Sequence, residues 1–211
     1  MDIMAHRGFW RAESERNTAI AFERALSLGF GIETDIRDLG GSLVISHDIP
    51  KLGAMPASEF SEIYKRSPTK GLVALNIKSD GLYSLVNEFV KESGIENYFV
   101  FDMSVPDIRG YLNLKMPVFT RLSEHEPYPA FVDMSCGVWL DAFESEWYGI
   151  PKLENLLAKE KRVAIVSPEL HRRSCRGLWE LLKNNNLHRN PLIALCTDFP
   201  LEAKEYFNVE N

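Results

Sequence analysis

A chain of 211 residues, 45% hydrophobic and 26% charged, has the composition of a globular protein and enough length for one sizeable core or two small ones. The net charge of −6 and pI near 5.5 exclude a general binder of nucleic acid or of anionic membranes, because the average field repels both surfaces. Cys136, Cys175 and Cys196 form no Cys-x-x-Cys pair, and the start Met1-Asp2-Ile3-Met4-Ala5-His6-Arg7-Gly8 lacks the charged and apolar regions of a leader. With no apolar run near the ~20 residues of a membrane span, the expectation is a reduced, cytoplasmic protein.

Ile3-Met4-Ala5 reads as a short buried strand ending at His6-Arg7-Gly8, and Ile20, Ala21, Phe22, Ala25, Leu26 and Leu28 follow at helical spacing up to Gly29. A second strand begins at Ile32, turns at Gly40-Gly41 into Leu43-Val44-Ile45 and reaches His47-Asp48 before a helix around Ser58 to Lys65. Leu72 to Lys78 is a third strand, with a helix from Leu82 to Glu92 whose apolar residues share one face. Tyr98 to Phe101, ending at Asp102, precedes a helix from Val105 to Leu112. Pro117 to Thr120, ending at Arg121, leads into an irregular stretch with Pro127 and Pro129. Gly137 to Leu140 ends at Asp141, with a helix marked by Leu153, Leu156 and Leu157. Arg162 to Val166 ends at Ser167-Pro168-Glu169 before a helix from about Cys175 to Asn184. Leu192 to Leu195 ends at Thr197-Asp198, and a last helix starts near Pro200.

Eight strand-then-helix units with no linker between them predict parallel strands in an α/β fold, a single-domain (β/α)8 barrel over residues 1–211. An open doubly wound sheet is the alternative, disfavoured by the lack of a Gly-rich nucleotide fingerprint. In a barrel the polar strand ends, from His6-Arg7 through Glu33/Asp35, Asn76/Lys78, Asp102, Arg121, Asp141 and Glu169 to Asp198, all meet on the catalytic face. Glu33 and Asp35 are two apart in a strand and so share a side, and His47 returns to their neighbourhood. Such a group could hold a divalent cation and move a proton.

His6-Arg7-Gly8, Asn17-Thr18 with Ala21-Phe22 and Ala25, Glu33-x-Asp35 and His47-Asp48, in that order, resemble the glycerophosphodiester phosphodiesterase family of TIM-barrel enzymes. Asn76-x-Lys78 and Thr197-Asp198-x-Pro200 are similar to its weaker downstream motifs, and the rest of the chain matches mainly in architecture. The resemblance implies metal-dependent hydrolysis of a small phosphodiester to an alcohol and a phosphomonoester. It implies His6 and His47 as the acid/base pair, Arg7 and Lys78 as phosphate ligands, and Glu33, Asp35 and Asn76 around Mg2+, Ca2+ or Mn2+. Imidazoles titrate near neutrality, and hard cations take oxygen ligands, so the residue types suit those roles.

Three positions depart from the family pattern: Asn76 stands for an acid, the hairpin between Asp35 and His47 is one residue shorter, and Arg16 stands where an acid precedes Asn-Thr. The first motivates a rival reading, a weakened or inactive barrel that binds a sugar phosphate or phosphodiester. Arg121 and Trp139 are further candidates for substrate contact, the ordinary role of a buried aromatic there being core packing. Asp102, Asp141 and Glu169 are strand-end acids whose ordinary role is to cap the next helix. His171, two residues after Glu169, is a weaker candidate for the mouth. The oligomeric state is not readable from sequence.

Overall fold

The computed structural model describes residues 1–208. Eight parallel strands, β1 (Asp2–His6), β2 (Gly31–Leu39), β5 (Val73–Ile77), β6 (Tyr98–Phe101), β7 (Phe119–Leu122), β8 (Gly137–Leu140), β9 (Arg162–Val166) and β10 (Ile193–Thr197), follow one another around a barrel. β10 pairs with β1, and a single parallel bridge, Val100 to Val118, joins β6 to β7, so the ring closes as a (β/α)8 barrel. Helices α1 (Ala19–Ser27), α2 (Ala57–Arg66), α3 (Tyr83–Ser93), α4 (Val105–Asn113), α5 (Ile150–Ala158), α6 (Arg176–Asn184) and α7 (Pro200–Phe207) form the outer layer. Proline in the first turn of α4, α5 and α7 fits these starts, where its missing N–H has no helical partner to lose.

Seven helices rather than eight are seen among the described residues, because the β7–β8 connection carries only turns. Pro127 and Pro129 fall in that stretch, and it lacks the apolar repeat that would dock a helix on the strands. The excursion after β2 is a two-residue hairpin: Gly40 and Gly41 both have positive φ (59° and 85°), and Leu39 pairs with Ser42. β3 (Ser42–Ile45) then pairs with β4 (Met55–Pro56) before α2 begins. The Ser46 N–H donates to the Asp35 carbonyl at 3.1 Å, so the hairpin returns the chain to Asp35, midway along β2.

Alternation along the strands sorts the core into two parts. Ile3, Ala5, Ile32, Val73, Leu75, Val100, Val138, Ile165 and Leu195 pack outward against residues such as Phe22, Leu26, Val86 and Leu182 of the helices. Met4, Ala74, Phe99, Phe101, Phe119, Trp139, Ala164, Val166, Ala194 and Cys196 fill the barrel interior. Phe99 stacks on Phe119 with centroids 3.8 Å apart and Phe101 on Trp139 at 4.0 Å, so the β6–β8 side is aromatic while small residues line much of the other side. Among the described residues no helix is long and apolar enough to cross a membrane.

Candidate active site

The interior series on β1, β2, β5, β7, β8 and β10 changes from apolar to charged at the carboxyl ends of the strands, and on β6 the left-handed turn at Asp102 interrupts the alternation. In register, His6 lies beside Glu33, and Asp35 beside Asn76. All four therefore rise from the packed aromatic and methyl layer into the mouth, with Glu33 and Asp35 buried.

β10 closes on β1, which brings Asp198 against His6: its Oδ1 lies 2.7 Å from His6 Nδ1. With Nδ1 protonated toward that carboxylate, Nε2 faces Glu33 Oε2 at 3.9 Å. Trp10 donates its indole N–H to the His6 carbonyl at 3.1 Å. Arg16 lies over the Trp10 ring at 4.3 Å and reaches Asp198 Oδ2 at 3.6 Å. The cation at position 16 thus serves the carboxylate that orients His6. Glu169 accepts the Thr197 hydroxyl and, at 3.1 Å, the Asp198 N–H, which ties the end of β10 to β9.

Arg7 takes a left-handed backbone (φ 57°) and Gly8 follows at φ 84°. A Cβ on Gly8 would come within 2.8 Å of the Ala21 backbone, so the tight loop packs on α1 only with glycine there. The turn sends the Arg7 guanidinium to 3.1 Å from Asp35 Oδ2, and the Arg7 backbone N–H donates to Glu33 Oε2 at 3.3 Å. Asn17 donates to Asp35 Oδ2 at 2.8 Å and accepts from Thr34 at 2.9 Å. Lys78 Nζ sits 3.5 Å from Asp35 Oδ1 and 3.3 Å from Asp102 Oδ2, and Arg121 pairs with Asp102 Oδ1 at 3.0 Å and with Glu126.

Asn76 donates to Glu33 Oε1 at 3.2 Å, while its own Oδ1 and Asp35 Oδ1 are buried with no hydrogen-bond donor. Burial raises the Glu33 carboxyl above its usual range, and the Asp35 charge pushes it further the same way, only partly offset by His6, Arg7 and Lys78. Among the described residues no three His, Cys, Asp or Glu side chains gather as a metal-ligand group. The available hard donors are two carboxylates and one amide oxygen, a neutral ligand in place of a third acid.

Among the described residues His47 makes no hydrogen bond or ion pair with this cluster, although its partner Asp48, whose carboxyl is lowered chiefly by His47, also feels the charge of Arg7. The His47 side chain is 46% exposed, with Nδ1 2.8 Å from Asp48 Oδ1 and its carbonyl held by Arg37 Nε at 3.1 Å. A third aspartate–histidine pair occupies the opposite rim: His171 Nε2 lies 2.7 Å from the buried Asp141 Oδ1, and its ring packs on Phe143. Asp141 also accepts the Ala142 N–H at 2.8 Å.

Trp139 belongs to the interior packing, stacked on Phe101 and tilted against Phe99. Trp139→Ala is expected to cost about 3–5 kcal/mol in denaturant unfolding, the usual loss for emptying a buried aromatic site. A cost below about 1 kcal/mol would instead assign the indole to the cleft.

Asn17 and Asp198 stand in the sequence motifs, but the motifs alone assign them no task. The signal for Asp198 was available: a closed barrel makes the last strand the neighbour of the first, so the acid ending the last strand meets the histidine ending the first.

No family model matches the sequence, and no curated protein sequence matches it. Solved structures match over nearly the whole chain. A glycerophosphodiester phosphodiesterase from Agrobacterium tumefaciens superposes with a TM-score of 0.66 at 14% identity, covering 99% of this chain and 100% of that one. A phosphodiesterase from Oleispira antarctica, solved with the product sn-glycerol-3-phosphate, gives 0.66 at 14% identity over 99% and 97%. A Ca2+-dependent phosphatidylinositol-specific phospholipase C from Streptomyces antibioticus gives 0.57 at 12% identity over 98% and 96%. At these identities the likeness establishes a shared barrel fold.

Proposed function

We propose that this barrel hydrolyses a small glycerophosphodiester-type substrate to an alcohol and a phosphomonoester with a divalent cation bound. The observation that carries the reading is the junction of the Asp198–His6 pair with the buried Glu33, Asp35 and Asn76 on the face where barrels place catalytic groups. The phosphodiesterases that share the fold, one of them solved with sn-glycerol-3-phosphate, support it.

In this reading Asp198 holds the proton of His6 Nδ1, so Nε2 is the atom that takes a proton from the attacking water, whose oxygen bonds the phosphorus as the alcohol oxygen leaves. Arg7 and Lys78 bind phosphoryl oxygens, the first through a planar fork and the second as a point charge. The Nδ1 of His47 is occupied by Asp48, which leaves Nε2 as the atom that protonates the leaving oxygen.

The residues fit a hard cation. Asn76 Oδ1 is a buried acceptor without a hydrogen bond, Asp35 Oδ1 is another that faces only the Lys78 ammonium at 3.5 Å, and Glu33 completes an all-oxygen donor set beside them. A bound cation would offset charge on the phosphoryl oxygens as a Lewis acid. Because Asn76 brings no charge, affinity should be modest.

The short loops of a barrel this size favour a small alcohol over an acylated one. Free Cys136, Cys175 and Cys196 agree with a reducing, cytoplasmic site of action. Assays against glycerophosphodiesters with Mg2+, Ca2+ or Mn2+ should show turnover that falls at least ~100-fold on chelation and returns with metal. Absence of turnover with every metal, or indifference to chelation, would overturn the reading.

A further inference from the structure

We propose that Asp102 selects ligands by charge, fitting this mouth to a phosphodiester monoanion and against a phosphomonoester dianion; this rests on the phosphodiesterase reading. Strand order β5–β6–β7 places Lys78, Asp102 and Arg121 at consecutive strand ends. The two oxygens of Asp102 serve different cations, Oδ2 facing Lys78 Nζ at 3.3 Å and Oδ1 facing Arg121 Nη1 at 3.0 Å. Its side chain is only 14% exposed, so water screens those contacts weakly.

The backbone shows that the position is demanding. Asp102 adopts φ 73°, a left-handed conformation that non-glycine residues mostly avoid, though Asp and Asn enter it more readily than others. Asp102 is not in the helix proper, because α4 starts at Val105 with Ser104 as its N-cap. Its carboxylate therefore belongs to the mouth.

Along this arc the cations Arg7, Lys78 and Arg121 face the carboxylates Asp35, Asp102 and Glu126, and every cation lies within 4 Å of at least one of those acids. The arc has no surplus positive charge. A ligand carrying one negative charge can be met by the cation bound at Glu33, Asp35 and Asn76 and by a partial release of Lys78. A second negative charge finds, among the described residues of this arc, no cation without a carboxylate beside it, and lies close to the Asp102 carboxylate. The consequence for catalysis is product release: the phosphodiester enters with one charge, and the phosphomonoester leaves with nearly two at neutral pH.

Matched probes isolate charge from shape. Dimethyl phosphate is a monoanion, and methyl phosphate is almost wholly a dianion at about pH 8, well above a second ionisation near ~6. Dissociation constants for both are measured calorimetrically on the metal-loaded wild type and on Asp102→Asn, which removes the charge and tolerates positive φ. Coulomb energy scales with ligand charge, so the variant should bind dimethyl phosphate about threefold and methyl phosphate about tenfold more tightly. Asp102→Gly, also at ease with positive φ, should shift the pair in the same direction if the asparagine variant folds poorly. Equal factors for the two probes, or weaker binding of both, would overturn the assignment. Wild-type turnover of glycerophosphodiesters is recorded alongside: its absence strikes the functional reading, whereas an unchanged ratio of constants strikes Asp102 alone.

Discussion

His6→Ala is expected to lower kcat by about 10³-fold, near the middle of the range for losing a positioned acid or base. The side chain is only 14% exposed, its Nδ1 is engaged by Asp198 at 2.7 Å, and its Nε2 is turned to the side of the mouth where Glu33 lies. Among the described residues no other imidazole lies within 4 Å of the Glu33 carboxylate. Removing His6 strands the Asp198 oxygen that it satisfied, and a stability loss of about 1–3 kcal/mol should accompany the kinetic one. Circular dichroism must therefore show the barrel intact before the rate is read. His47→Ala is the companion arm. That imidazole is half exposed and paired only with an exposed Asp48, so its removal should leave stability unchanged while kcat falls by roughly 10². Rates within threefold of wild type in the His6 variant would remove it from the chemistry. The same result for His47 would direct attention to His171, which Asp141 seats on the other rim.

The barrel was legible because most strands are short apolar runs that stop at a polar residue, and seven of the eight are followed by a helix with an apolar face. The exception, between β7 and β8, was visible as a proline-rich irregular stretch, yet counting units concealed it. The company kept by Glu33 and Asp35 was half legible. Period-two alternation put both on one side, but nothing local to β2 announces Asn17, Arg7 and Lys78 as the groups that meet Asp35. Those meetings depend on left-handed turns at Arg7 and Asn17 and on barrel register, neither of which a hydrophobic pattern encodes. Asp198 shows the same boundary: its position in the chain is plain, and its contact with His6 exists only because the sheet closes. Arg16 was legible as a change of sign near the phosphate loop, whereas its pairing with Asp198 required the folded loop.

Glu33→Gln should damage function and help stability in the absence of metal, a pair of effects of opposite sign. Burial, reinforced by the Asp35 charge, raises the Glu33 carboxyl above the value it has in the unfolded chain. Between those two values the native state still holds a proton that the unfolded chain has released. Wild-type stability therefore falls as pH rises through that window, and the penalty is fully present above it. A glutamine has no proton to lose, so in chelator the variant should melt above wild type at neutral pH, and the two curves should converge in acid. The new amide has a partner at hand, because a flip of Asn76 would turn its donorless Oδ1 toward position 33. Adding Mg2+ or Ca2+ should reverse the order. Wild type gains Tm by mass action, while the variant, with one anionic donor removed from a set that holds only two, gains little. Turnover should fall by roughly 10²–10³, the scale of losing one electrostatic element of a catalytic site. Thermal melts across pH, with chelator and with metal, check all of these signs together. A variant that melts below wild type in chelator at neutral pH, or one that gains the same Tm from metal, would show that Glu33 is a structural carboxylate and not the strained anion of a metal site.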